Sequence, residues 1–205
     1  MVWRCETGGV PTTGLRERKR EKTRDALAQS ALRLFAERGF DRVTVEEIAA
    51  AHDLSARTFF RYFASKEDVL FSEGDRRRTH LLAALADQHP SARPFPALEA
   101  ALRLVSTDYA QERDLLRLRH HVITSTPSLS TRAAERRQGW EGEVIDQLRT
   151  SGRADGMSDL ELRLVVAATT TALQVAIETW VASDAPDLET ILDEVFDRLR
   201  NGFGR

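Results

Sequence analysis

The 205 residues suffice for one domain or two small ones and for a substantial core, and a composition 41% apolar and 30% charged is that of a soluble globular chain. The one cysteine, Cys5, builds neither an internal disulfide nor a metal site, so a reducing cytoplasm is expected. The net charge of −2 conceals an asymmetry: residues 1–80 carry 16 Lys and Arg against 13 Asp and Glu, and the remainder 14 against 19, so a basic start suited to phosphates is joined to an acidic body.

Residues 1–14 lack the apolar run of a signal peptide and read as a disordered tail. Next, Arg16, Arg18, Lys19, Arg20, Lys22 and Arg24 cluster with only Glu17 and Glu21 between them. From here helical periodicity recurs throughout and no stretch alternates apolar and polar residues for long, which predicts an all-α fold. Leu27, Ala31, Leu34 and Phe35 mark the inner face of a first helix, and Gly39 sits where a left-handed C-terminal cap belongs. Thr44 and Glu47 form a capping box that opens a short helix with Val45, Ile48, Ala49 and His52 inward. Asp53-Leu54 makes a turn, Ser55 caps a third helix through Phe63, and Ser65-Lys66-Glu67-Asp68 starts a fourth reaching toward Gln88.

Pro90, Pro94 and Pro96 mark a break. Beyond it, helices are expected near 97–110, 112–125, 128–150, 159–183 and 188–201, with a loop at Gly152–Gly156 and a second capping box at Ser158 and Glu161. The stretch Leu164–Ala182 is apolar enough to raise the question of a membrane span. Its Thr169, Thr170, Thr171, Gln174, Glu178 and Thr179, and the absence of a second such stretch, read instead as a buried helix, with no membrane partner.

Three short helices with a tight turn before the third make a helix-turn-helix, in which the second helix braces the third against the major groove. The stretch Arg24–Leu70 goes further and resembles the TetR family DNA-binding domain, through Ala31, Leu34-Phe35, Gly39-Phe40, Thr44, Ile48-Ala49, Ser55, Thr58, Tyr62-Phe63, Ser65-Lys66-Glu67 and Leu70. The resemblance implies that Thr44 contacts phosphate and that Ser55, Ala56 and Arg57 form the first turn of the recognition helix. Arg57 is then the side chain best able to read a base, through a bidentate pair with guanine. Thr58, Arg61 and Tyr62 are similar to positions that touch phosphate or neighbouring bases, and Lys66 to a phosphate anchor. The basic run Arg16–Arg24 is expected along the DNA backbone or in a minor groove. Two residues depart from the family's pattern. Phe60 stands where a tyrosine usually reaches phosphate, leaving the ring to pack against sugar or a thymine methyl. Asp53 stands where glycine usually makes the turn, and aspartate tolerates left-handed geometry better than most residues.

The resemblance also implies a C-terminal helical domain for ligand binding and dimerisation, giving a division into 1–14, a DNA-binding domain at 15–70 and the helical domain at 71–205. Leu162, Val165, Val166, Leu173, Ile177 and Val181 make one helix apolar nearly all round, as if it served a dimer bundle on one side and a cavity on the other. The last helix repeats Leu188, Ile191, Leu192, Val195, Phe196 and Leu199, and both helices are expected to pair with their symmetry mates. Candidate ligand contacts are Leu102, Val105, Tyr109, Leu116, His120, Trp140, Val144, Thr170, Gln174, Ile177 and Trp180, a mostly apolar set with a few hydrogen-bonding groups. Thr170, Gln174 and Glu178 at helical spacing form a polar seam that wants something to bond. With no phosphate-binding glycine loop, no Cys/His metal spacing and no nucleophile motif, neither an enzyme nor a metal or cofactor is expected. The expected function is a ligand-responsive regulator, by the family's habit a repressor, that binds a palindromic double-stranded operator as a homodimer and is released by an apolar or amphipathic small molecule. The alternative is a DNA-binding dimer without an effector, acting through partner proteins.

Overall fold

The computed structural model describes residues 12–109, 112–183 and 187–202, apart from the side chains of 12, 13 and 15. Of the expected tail 1–14, residues 1–11 lie outside the described residues, while 12–14 belong to the first helix. The described residues contain helices and turns and no strand, and divide into two compact units, one through Lys66 and the other from Glu67 on.

The first unit consists of α1 (Thr12–Arg38), α2 (Val45–Ala50) and α3 (Ala56–Phe59). Its core gathers Leu27, Ala31, Leu32 and Phe35 of α1 with Phe40, Val43, Ile48, Ala49, Phe59 and Phe63. Leu34, expected inside, is half-buried, and Leu32 takes the buried place beside Ala31. Phe35 meets Phe40 edge to face at 5.0 Å, and Phe59 lies 5.3 Å from Phe63. Rings packed this way add to their area burial, so truncating one of these phenylalanines costs about 3–5 kcal/mol. Gly39 follows α1 with φ 86° and ψ 143°: the sign of φ is the expected one, but the extended ψ turns the chain out of the left-handed helical basin.

The α2–α3 turn is closed by backbone alone. Leu54 N–H donates to the Ala49 carbonyl (3.0 Å) and Asp53 N–H to that of Ala50 (3.1 Å), which is the Schellman pairing. Asp53 sits at its left-handed position with φ 54°, the one non-glycine residue with positive φ among those described. The third helix is shorter than its expected span to Phe63. Only Ala56–Phe59 is regular, and Tyr62 and Phe63 both donate back to the Phe59 carbonyl (2.8 and 3.1 Å) as successive turns.

The second unit consists of α4 (Asp68–Ala86), α5 (Pro94–Ser106), α6 (Arg113–Ser125), α7 (Pro127–Thr150), α8 (Asp159–Ala182) and α9 (Leu188–Asn201). Pro94 and Pro96 do not separate regions. They lie in the first turn of α5, where the missing N–H has no helical partner to lose and the fixed φ suits the helix. Ala97, Leu98, Ala101, Leu102 and Val105 follow at three- and four-residue spacing and are all buried. They meet Leu81 and Leu85 of α4, Val144 and Leu148 of α7, Leu162, Val166 and Leu173 of α8, and Leu192 and Phe196 of α9. Thus α8 packs against α5, α6, α7 and α9 at once.

By length and composition α8 could cross a membrane. Here its inner face is core, and its outer face leaves Leu160, Leu164 and Val175 exposed by 76%, 65% and 45%. The last helix is different. Phe196 is wholly buried within its own chain, and the outward side of α9 carries Glu189, Asp193, Glu194, Asp197 and Arg198. Its end is fastened to α5 by charge: Glu99 accepts from Arg103 of its own helix at 3.0 Å and from Arg200 of α9 at 2.6 Å.

Four helices open with the side-chain caps that their sequences encode, α3 among them through Ser55. Thr44 Oγ1 accepts from Glu47 N–H (3.2 Å) while Glu47 Oε2 accepts from Thr44 N–H (2.8 Å); Ser158 and Glu161 repeat the box, and Asp187 caps Thr190. Arg38 of α1 adds a 2.7 Å ion pair to Glu47. The backbone bond from Thr44, followed by the bond from Arg38, holds the Glu47 carboxyl at about 2, below its ordinary 4.5. A depressed carboxyl stabilises the fold when ionised, so its contribution is full above about pH 4.5 and disappears as the pH falls toward 2. We expect Glu47→Gln to lower the thermal midpoint at pH 6 and to flatten its decline between pH 5 and pH 2. A decline as steep as that of the parent chain would remove Glu47 from this role.

Candidate functional site

Two sites emerge, one in each unit. In the first, Ser55 Oγ accepts from Thr58 N–H (3.2 Å) and lies 3.0 Å from Thr58 Oγ1, so the two hydroxyls brace the start of α3. Thr44, exposed, uses its hydroxyl in the α2 capping box. Ala56 is half-buried, and Arg57 beside it is exposed and has no partner among the described residues. Phe60 follows with its ring 54% exposed, held at one edge by Phe59 at 5.6 Å. The Arg61 guanidinium stands over the Tyr62 ring at 5.7 Å, and these two residues share a cleft with Arg16, Lys19, Arg20 and Thr23 of α1. The basic run and the turns that follow α3 therefore line one cationic cleft, a juxtaposition that no local pattern in the sequence reveals.

Lys66 is placed differently from the other expected contacts. Its ammonium donates to the carbonyls of Phe40 (2.8 Å) and Val43 (2.9 Å) and lies 4.2 Å from the centre of the Phe40 ring. Two of its three donors thus close the turn between α1 and α2, and in this arrangement Lys66 is a clamp on the fold, not an open phosphate anchor.

In the second unit a cavity of about 510 Å³ lies among α4, α5, α6, α7 and α8. Leu102, Val105, Tyr109, Leu116, His120, Trp140, Thr170, Gln174 and Ile177 all line it. Val144 and Trp180 do not: both are buried in the core, and Trp180 lies beneath the Arg113 guanidinium at 5.0 Å. Sequence reasoning missed the α4 wall, formed by Phe71, Gly74, Asp75, Arg77, Arg78 and Leu81, and the arginines Arg119, Arg136 and Arg137. A signal for Arg119 did exist. Leu116, Arg119, His120 and Ile123 occupy one face of α6 at spacings of three and four, so two correct candidates bracket it.

The polar seam on α8 is satisfied from within the chain. Thr170 Oγ1 donates to Glu141 (2.7 Å), Gln174 donates to Glu178 (2.8 Å), and Arg137 donates to the Gln174 carbonyl oxygen. The expectation that it lacks partners fails because α7 supplies them. Burial raises the Tyr109 hydroxyl above its ordinary pKa, and the Arg77 guanidinium, 4.0 Å from the ring centre, opposes that rise. Among the described residues no group of three or more His, Cys, Asp and Glu side chains is arranged to hold a metal.

Known proteins resemble this chain along most of its length. The family model described as bacterial regulatory proteins, tetR family, matches residues 27–72, and that of the MftR C-terminal domain matches 92–204. The HTH-type transcriptional regulator TcmR of Streptomyces glaucescens is 32% identical over 91% of this chain and 87% of its own. MftR of Mycobacterium tuberculosis is 30% identical over 92% and 94%. The crystal structure of Thermus thermophilus FadR, a TetR-family repressor in complex with lauroyl-CoA, superposes with a TM-score of 0.56 at 26% identity, over 89% of this chain and 95% of that one.

Lys66→Met keeps the apolar stem and removes both carbonyl bonds, so it should lower unfolding free energy by about 2–3 kcal/mol in urea titration. Arg57→Ala, at an exposed and unpartnered side chain, should stay within about 0.5 kcal/mol of the parent. A Lys66→Met protein as stable as the parent would return that lysine to the DNA surface.

Proposed function

Because the chain belongs to the TetR family of bacterial transcriptional regulators, and is no enzyme, we propose that it is a cytoplasmic, ligand-responsive repressor. It binds a palindromic operator as a homodimer and leaves it when an apolar or amphipathic molecule enters the second unit. The observation that carries this reading is the cavity: about 510 Å³, apolar over most of its wall, in the unit that does not bear the basic surface. FadR, described with lauroyl-CoA bound, supports it as a related fold that takes a small ligand. The operator-binding face comprises Thr44, Ser55, Ala56, Arg57, Thr58, Phe60, Arg61 and Tyr62, with Arg57 reading a base and the α1 cations following the phosphates. We assign residues 15–70 to DNA binding and 71–205 to ligand binding and dimerisation. Because α4 begins just after Lys66 and lines the cavity from Phe71 to Leu81, a ligand that shifts α4 biases the operator-binding unit through the chain itself.

The partner that covers Leu160, Leu164 and Val175 is a second copy of α8, since an apolar stripe of this kind on a soluble helix needs cover and a two-fold axis supplies the same stripe in return. The charged outer side of α9 makes it the flank of that interface. The satisfied seam at Thr170, Gln174 and Glu178 favours the alternative of a regulator without an effector, and the release experiment decides between the two.

Duplexes selected from a random pool should be palindromic, with half-sites about 34–36 Å apart. Arg57→Ala should cost about 1–3 kcal/mol on the best site and relax one or two base positions. Leu164→Glu with Val175→Glu should sediment as a folded monomer. Equal affinity for selected and random DNA would sink the operator reading, an intact dimer would move the interface off α8, and failure of every lipophilic compound to release DNA would leave the effector-free regulator.

A further inference from the structure

The cavity wall is more cationic than an apolar ligand requires. Five arginines, Arg77, Arg78, Arg119, Arg136 and Arg137, face three acids, Asp75, Glu143 and Glu178. Four of the arginines are bonded: Arg77 to Glu112, Arg78 to Glu143, Arg136 to Asp75 and Arg137 to Gln174. Arg119 has no hydrogen-bond or ion-pair partner among the described residues. Glu73 and Glu112 attract it through space, but Glu112 is engaged by Arg77 and Glu73 pairs with Arg76 at 3.4 Å. Burial, and then the like charge of Arg77, push the Arg119 guanidinium below its ordinary pKa.

Room has been made for this cation at a cost. Its Nη2 lies 3.2 Å from the point where a β-carbon on Gly74 would sit, so the guanidinium passes over bare backbone in the middle of α4. Glycine inside a helix is unfavourable, and a β-carbon here would press the Arg119 head aside by a few tenths of an ångström. A half-buried guanidinium beside the like charge of Arg77, with no bonded carboxylate of its own, is itself unfavourable. Two destabilising features meet at one point of a cavity, where an incoming anion would relieve the second.

We propose that Arg119 is the recognition residue for a singly charged oxyanion, a carboxylate or its equivalent, on an effector whose remaining body is apolar. A planar guanidinium receives such a group through two parallel N–H donors. Leu102, Val105, Leu116, Trp140 and Ile177 take the body of the molecule. The effector is thus an organic acid, not a neutral lipid or an amine. The inference rests on the effector reading above and narrows its chemistry.

Two fluorescent probes with one ring frame test it: anilinonaphthalene sulfonate, which is anionic, and phenylnaphthylamine, which lacks the sulfonate. The anionic dye should bind the full-length protein about tenfold or more tighter than the neutral one. Arg119→Gln should reduce that ratio to about one without weakening the neutral dye, Arg119→Lys should retain part of it, and Arg198→Gln, on the outer side of α9, should leave it unchanged. Without dye, Arg119→Gln should melt no lower than the parent, since it removes a cation that has no bonded partner and faces the like charge of Arg77. The inference is overturned if the neutral dye binds as tightly as the anionic one, if Arg119→Gln keeps the preference, or if that variant melts several degrees lower. Binding of the neutral dye without any charge preference would leave the effector reading standing, whereas failure of both dyes to bind would overturn the two together.

Discussion

A 24-residue helix with apolar side chains on more than one side has to find cover in several directions at once, and α8 is that helix. Its cover determines where most of the second unit lies. Leu162, Val166, Leu173, Ala176 and Trp180 enter the core shared with α5, α7 and α9, while Thr170, Gln174 and Ile177 look into the cavity, and Leu160, Leu164 and Val175 look out. The cavity is a consequence of this division. Its side of α8 alternates Thr170 and Gln174 with Leu173 and Ile177, and the bonds of the polar members to α7 keep that wall from collapsing into a dry core.

The smaller unit adds polar ties to its packed core. The Thr44–Glu47 box fixes the start of α2, Arg38 joins α1 to it, and the Lys66 ammonium seals the carbonyls of Phe40 and Val43. The capping box and the lysine satisfy backbone groups that a short helix or turn would otherwise leave to water, and the Arg38 pair holds Glu47 in place for its part. The economy frees the exposed side chains of α3 for another use: Ser55 and Thr58 hold each other, and Arg57 and Phe60 remain presented outward.

What could be read from the sequence was what is decided within a few residues. Capping boxes at Thr44 and Ser158, the left-handed Asp53 and the apolar spacing of α9 all act over one or two helical turns, and they stand where the pattern puts them. Pro94 and Pro96 misled because proline marks a helix start as readily as a break. What escaped depended on distant partners. Lys66 is tied to residues 26 and 23 positions away, Gln174 to one 37 positions away, and nothing local distinguishes either from a side chain facing solvent. Trp180 was misplaced for a related reason: periodicity puts a residue on an inner face but cannot separate cavity from core.

The chain's last described helix is fastened by Glu99, whose carboxylate accepts from both Arg103 and Arg200. Leu188, Leu192 and Phe196 hold the earlier turns by apolar contact, which salt strengthens if it changes it at all. The final turn adds to the core contact of Leu199 an ion pair, which salt screens. The two ends of α9 therefore respond unequally to ionic strength, and rising salt loosens its C-terminal turn before its first turns open to hydrogen exchange.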